Sequence, residues 1–267
     1  MHIIQETIGR QNCSFTAYLP ERWAEAAFGP RPGVLILPGG GYGFTSTREA
    51  EPIALAWNAA GYNAYVLHYT TRPGTRWPTA LTEALTALHR IRDMAAAWDQ
   101  DPARVAVTGF SAGAHLAADL ATVSADKEFL AKLGFDPAAS RPDAAILCYP
   151  VISGTDVGHR GSFENLLGDR IGDPEALARV SLETRVTGET PPCFLWHTAN
   201  DEAVPVENSL LFAMALARAG VPFELHVYPD GAHGLSLGTW FVDTPQPSVQ
   251  GWIAAARHWL DGVFGCR

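Results

Sequence analysis

The sequence predicts an α/β protein, with a mostly parallel β-sheet and helices on both of its faces. Three observations lead there. Continuous apolar runs, typical of strands covered on both sides, alternate with segments whose apolar residues recur every three or four positions. Gly and Pro turn signals separate these blocks at a regular beat, without an internal repeat or low-complexity tract. The 267 residues are 47% apolar and only 18% charged, which supplies a substantial core and excludes intrinsic disorder. That length fits one domain over residues 1–267.

The elements follow in order. Cys13 to Leu19 alternates like a half-buried strand and stops at Pro20. Val34 to Leu37 is a continuous apolar strand, Glu49 to Ala60 a helix ended by Gly61, and Tyr62 to Tyr69 the next strand. Pro78 opens a long helix with Leu81, Leu85, Leu88, Ile91 and Ala95 on one face. Arg104 to Thr108 reads as a strand, and a helix of small residues begins near Ala112. Strands are expected at Ala144–Tyr149, Cys193–His197 and Phe223–Tyr228, and helices at Val206–Ala219 and about Val249–Val263. Two stretches break the beat. Residues 152–192 form a long connection with two short helices, around Phe163–Leu167 and Glu175–Ser181, and read as a small lid or substrate segment. Thr70 to Trp77 is a Pro/Gly/Arg loop. Both follow strand C-terminal ends, the edge where open α/β sheets bind ligands.

Charge and termini limit the partners. A net charge of −9 with no Lys/Arg run excludes a phosphate-binding surface, so no nucleic-acid partner is expected. No apolar stretch approaches the ~20 residues of a membrane span. The opening Met1–Thr7 lacks the basic and apolar blocks of a signal peptide, so a cytoplasmic location is expected. Cys13, Cys148, Cys193 and Cys266 show no C-x-x-C spacing and read as thiols rather than a disulfide or zinc framework. The apolar last helix and strand could support a homodimer, with a monomer as the alternative.

The chemistry concentrates in four loops. Gly109-Phe110-Ser111-Ala112-Gly113 matches G-x-S-x-G, a sharp strand-to-helix turn that holds a serine hydroxyl out of the sheet. The strand before it and the small-residue helix after it are the context this motif needs. Pro38-Gly39-Gly40-Gly41-Tyr42-Gly43 follows an apolar strand and leaves N–H groups free to face a developing negative charge. It lacks the Lys-Ser/Thr pair and the G-x-G-x-x-G spacing of phosphate and dinucleotide loops. A serine nucleophile needs a base, and the base needs an acid to orient it. Asp201 and His233 follow the last two strands, in the chain order Ser, Asp, His and on the edge that carries Ser111. Glu202 is the nearest substitute for the acid. His68, His115, His197 and His226 fall in strands or a packed helix, where structural roles are expected. His159, in the long connection, is a candidate substrate contact. Tyr42, Phe44, Trp77 and Trp240 are candidate rim aromatics, with packing under loops as the alternative for two or more of them.

These residues, with Asp201-Glu202-Ala203-Val204-Pro205, Gly231-Ala232-His233-Gly234 and the Cys148–Ile152 and His159–Gly168 segments, resemble the α/β-hydrolase superfamily of serine esterases. Within it the chain looks like the compact acetyl-esterase and acetylxylan-esterase branch, close to the feruloyl and acetylxylan esterase domains. The resemblance runs from about Tyr18 to Trp259. It implies an eight-stranded, mostly parallel α/β-hydrolase sheet with the small lid inserted after the sixth strand. It also implies hydrolysis of short acyl esters, acetyl above all and xylan or xylo-oligosaccharide acetyl groups among them, through an acyl-enzyme. Nucleophile, acid and base would be Ser111, Asp201 and His233, and the oxyanion hole Gly40, Gly41 and Ala112. Pro38 stands where the H-G-G-G form has histidine, and the short chain before it leaves no room for a large N-terminal cap, so an open pocket is expected. No metal or organic cofactor is required. Tyr42, Trp77, His159 and Trp240 are the expected substrate contacts. Arylformamidase-type amide cleavage uses the same triad and is the competing reading; a non-catalytic binding protein is the third.

Overall fold

In the computed structural model, residues 1–9, 13–23, 25, 29–73 and 75–266 are described. The chain runs β1 (His2–Ile8), β2 (Cys13–Leu19), β3 (Arg31–Leu37), α1 (Glu51–Ala59), β4 (Asn63–His68), α2 (Thr79–Asp93), β5 (Gln100–Phe110), α3 (Ala112–Val123) and α4 (Lys127–Leu133). It continues with β6 (Ala144–Cys148), α5 (Arg160–Leu167), α6 (Pro174–Arg179), β7 (Cys193–Thr198), α7 (Glu207–Ala219), β8 (Phe223–Tyr228) and α8 (Trp252–Phe264). The strands form one eight-stranded sheet in the order β1-β2-β4-β3-β5-β6-β7-β8. β1 and β2 are antiparallel to their neighbours, and every other pair is parallel. This is the α/β-hydrolase fold.

The strand period of two assigns the faces. Leu35 and Leu37 of β3, with Ala145 and Leu147 of β6, point to the side covered by α2, α3 and α7. Val34, Ile36, Ala144 and Ile146 point to the side covered by α1 and α8. Because both faces are covered, the central strands are apolar at every position. Each fully buried Leu or Phe, such as Leu35 or Phe194, contributes about 1.5–3 kcal/mol. The parallel strands end on one edge, so the loops after β3, β5, β7 and β8 meet there.

The expected elements are present, with informative differences. The helix expected from Glu49 begins at Glu51, with Pro52 in its first turn, and a separate 3-10 turn holds Thr47–Glu49. Ala50, at φ −111 and ψ −103, breaks the path and frees Glu49 to point elsewhere. The long helix ends at Asp93, short of Ala95, and the last helix starts at Trp252 rather than Val249. β1 and α4 had no counterpart in the sequence reading. The 152–192 connection contains α5, α6 and 3-10 turns, and its Phe163, Leu166, Val180 and Leu182 join the core under α3. Gly74, in the Thr70–Trp77 loop, lies outside the described residues. Cys13, Cys148 and Cys193 are buried free thiols and Cys266 is half-buried. Among the described residues no helix is long and apolar enough to cross a membrane.

Candidate active site

β5 passes into α3 through Ser111, whose φ of 54° and ψ of −118° lie outside the regions that L-residues favour. The turn holds because the backbone is packed tightly around it. A Cβ at Gly109 would lie 2.2 Å from the Gly113 carbonyl oxygen, and one at Gly113 would lie 2.1 Å from that of Leu37. Ser111 N–H donates to Cys148 O at 3.0 Å, and its carbonyl accepts from Ala114 and His115 at 3.0 and 3.1 Å. Fully buried Ala114, Ala117 and Ala118 let α3 sit close to the sheet.

The three residues singled out at three strand ends stand in one line. Ser111 Oγ lies 2.7 Å from His233 Nε2, and His233 Nδ1 lies 2.7 Å from Asp201 Oδ2. A carboxylate only accepts, so Nδ1 carries the imidazole proton and Nε2 is left to accept from the serine. Asp201 Oδ1 accepts from the N–H groups of Ala203 and Val204 at 3.0 and 2.9 Å. His197 Nε2 stands 3.4 Å from Oδ2, fixed by Val204 O at 2.9 Å and, through Nδ1, by Ser209 Oγ at 2.8 Å. Burial works to raise the Asp201 carboxyl, but the hydrogen bonds from His197 and His233 prevail and hold it well below the usual carboxylate range. It is therefore ionised at neutral pH. Glu202, the substitute acid, is exposed and takes no part in this line.

The glycine loop faces the serine. Gly40 and Gly41 have φ of 128° and 61°, and Gly40 O accepts from Gly43 and Phe44 N–H at 2.9 and 3.2 Å. Among the described residues, the N–H groups of Gly40, Gly41 and Ala112 donate to no protein acceptor. The loop is anchored by a residue the sequence reading placed in a helix. Glu49, 2% exposed, accepts from Gly39 N–H at 2.9 Å and from Tyr149 O–H at 2.7 Å. Tyr149 in turn accepts from Ser236 N–H at 2.9 Å and sets its ring edge-on to His233, centroids 5.1 Å apart. Burial pushes the Glu49 carboxyl up, against the lowering effect of the Tyr149 and Gly39 bonds. A glutamine at this position offers one acceptor where two donors need one. Glu49→Gln is therefore expected to lower kcat about 10–100-fold at little change in KM, because a misplacement of ~1 Å in a positioning group costs about that much. Steady-state kinetics beside a thermal melt check it: an unchanged kcat in a folded variant means the loop stays in place without the carboxylate.

Ser111 and His233 open into a cavity of about 760 Å³ whose walls include Gly40, Gly41, Phe44, Arg48 and Phe241. His159 also lines it, with Nδ1 against Ser162 Oγ at 2.8 Å at the start of α5. Burial, and after it the neighbouring His233, lowers its pKa, so it is neutral at pH 7. The other expected substrate contacts divide. The Tyr42 ring is 1% exposed, with its hydroxyl 2.8 Å from His115 Nδ1, and packs under the loop rather than into the cavity. Trp77 stacks on Phe129 and donates Nε1–H to Asp119 at 2.9 Å, away from the cavity lining. Trp240 is 77% exposed and stacks on Phe241, which does line the cavity. The side chains of Tyr42 and Trp77 are thus corrected to packing positions, because each has a polar partner inside. Arg48, Glu49, Tyr149 and Phe241 were missed, and His197 holds a structural place beside Asp201; only the polar Thr47-Arg48-Glu49 run ahead of Pro52 hinted at a helix start set apart from its turn.

A family model described as BD-FAE matches residues 18–216. The chain is 40% identical over 210 residues to endo-1,4-beta-xylanase B of Butyrivibrio fibrisolvens, covering 78% of this chain and 33% of that protein. It is 33% identical over 213 residues to an acetylxylan esterase of Xylanibacter ruminicola, covering 78% and 42%. The chain thus spans about a third and about two-fifths of the length of these relatives. Among solved structures, the acetyl ester-xyloside bifunctional hydrolase of Caldicellulosiruptor lactoaceticus matches with a TM-score of 0.82 at 38% identity, over 95% of this chain and 89% of that one. The carboxylesterase Cest-2923 of Lactobacillus plantarum WCFS1 matches at 0.85 and 29% identity, over 98% of each. The chain belongs to the BD-FAE family, an α/β-hydrolase family.

Proposed function

We propose that this chain is a serine carboxylesterase that removes short acyl groups, acetyl first, by an acyl-enzyme route. The observation that carries the proposal is the unbroken relay Asp201–His233–Ser111, with both links at 2.7 Å, opening into one cavity. His233 takes the Ser111 proton as Oγ bonds to the ester carbonyl carbon, and the Gly40, Gly41 and Ala112 N–H groups receive the oxyanion. The carbon–oxygen bond to the alcohol then breaks, and His233 protonates the departing oxygen. Water, giving its proton to His233, cleaves the acyl-enzyme and restores Ser111. Asp201 holds the imidazole in the required tautomer and stabilises its cation. The 152–192 segment acts as a wall carrying His159. Acetylated xylose-containing compounds are the natural substrates to try first, a choice supported by the likeness to an acetylxylan esterase and an acetyl ester-xyloside hydrolase.

The test is hydrolysis of p-nitrophenyl acetate, butyrate and octanoate by wild type and Ser111→Ala. We expect acetate to be fastest, rates to fall with chain length, and the variant to be inactive. Turnover persisting in Ser111→Ala would misassign the nucleophile, and an inert wild type would sink the esterase reading.

A further inference from the structure

We propose that Arg48 is an anion-recognising residue of this cavity, and that the alcohol part of the ester cleaved here carries a carboxylate. The inference rests on the serine-esterase reading and narrows its substrate class.

Arg48 is the one guanidinium among the described residues lining the cavity of Ser111 and His233. Its backbone is fixed, with the carbonyl accepting from Ser236 Oγ at 2.6 Å. Its side chain runs against the main chain one residue past the base: Gly234 has φ +79°, and a Cβ there would lie 2.5 Å from Arg48 Nη2. A side chain at this position would have to push the guanidinium tip aside and would hold a strained backbone. The Nε atom is buried and has no hydrogen-bond partner among the described residues. The one carboxylate in the lining, Glu49, feels the guanidinium at longer range, but its two oxygens already serve Tyr149 and Gly39. A buried donor without an acceptor is costly and calls for an explanation, of which an acceptor brought by a ligand is one.

Which part of the ester meets Arg48 follows from the proton path. His233 must protonate the leaving oxygen, so the alcohol lies over His233 and reaches the Gly234–Arg48 edge, while the carbonyl oxygen turns toward Gly40 and Gly41. A planar guanidinium matches a carboxylate two bonds at a time. In a chain of net charge −9, an anionic substrate is repelled at long range, so its capture depends on a local cation.

The probes are 4-acetoxybenzoate, with the carboxylate on the alcohol side, and its neutral methyl ester, assayed on wild type, Arg48→Gln and Arg48→Lys. The expected result is that the kcat/KM ratio, acid over methyl ester, falls tenfold or more in Arg48→Gln and by less in Arg48→Lys, which keeps the charge but loses the paired bonds. A ratio equal to wild type within twofold in Arg48→Gln overturns the proposal while leaving the esterase intact. A wild type that cleaves neither probe nor p-nitrophenyl acetate brings down the esterase reading itself. Should Arg48→Gln not fold, product inhibition of the wild type decides. Stronger inhibition by 4-hydroxybenzoate than by methyl 4-hydroxybenzoate supports the role, and equal or weaker inhibition overturns it.

Discussion

Ser111→Ala and His233→Ala are each expected to lower kcat by about 10⁶-fold, and the double variant by no more than either single one. The two side chains share one hydrogen bond of 2.7 Å, and that bond is the route by which the proton leaves the attacking oxygen. With either partner gone the other has nothing to act on, so the losses cannot multiply. The residue of activity, about 10³–10⁴ over water, would come from the Gly40, Gly41 and Ala112 donors and from substrate binding. Folding should survive. Ser111 sits in a strained conformation that its neighbours impose through Gly109 and Gly113, and among the described residues its hydroxyl bonds only to His233. Rates of p-nitrophenyl acetate cleavage, with thermal melts for all three variants, are the measurement. Losses that multiply in the double variant would mean that the two residues act in separate steps.

The parts of the molecule legible in sequence are those written in local chemistry. The central strands are covered on both faces, so Val34–Leu37, Ala144–Cys148 and Cys193–Trp196 are unbroken apolar runs. Parallel strands put the loops that follow them on one edge, so Ser111, Asp201 and His233 could be singled out as neighbours although far apart in the chain. Gly109 and Gly113 announced a turn with no room for a Cβ, and the measured clearances have that character. What stayed hidden depends on side-chain direction across the fold. Glu49 and Arg48 occupy a 3-10 turn that periodicity merges with α1, and only the tertiary path reveals that one meets Gly39 and the other passes Gly234. Tyr42 and Trp77 looked like rim aromatics because their loops lie at the binding edge. His115 and Asp119, both on α3, draw their polar tips inward. β1 alternates weakly, with its better-covered positions at Ile4, Glu6 and Ile8, and its Glu6 is bound to Arg90 of α2 at 2.8 Å. β1 is held by its ladder to β2 from His2 to Ile8, to which a partly exposed ion pair adds little, and with alternate positions open to solvent it has little apolar signature of its own.

Asp201→Asn is expected to lower kcat by about 10⁴-fold, and it separates two jobs held by one carboxylate. Asp201 also caps its own loop, accepting from Ala203 and Val204 N–H through Oδ1 while Oδ2 faces His233 and His197. Every group around it is a donor, so an amide has no good orientation. With its NH2 at the Oδ1 position, two backbone N–H groups lose their acceptor. With its NH2 at the Oδ2 position, His233 must turn Nδ1 into an acceptor and carry its proton on Nε2, where it can no longer receive one from Ser111. The first choice costs stability, about 1–3 kcal/mol per unsatisfied group, and the second costs catalysis. Acid unfolding tells how the carboxylate is used. Its folded-state pKa lies below the unfolded value of 3.8, so its contribution is present above that value and is lost as pH falls through the folded one. The stability gap between wild type and Asp201→Asn, measured by urea unfolding, should therefore be full at pH 7 and narrow below pH 3.8. A gap that persists undiminished in strong acid would mean that the amide's misfit, and not the lost charge, separates the two proteins.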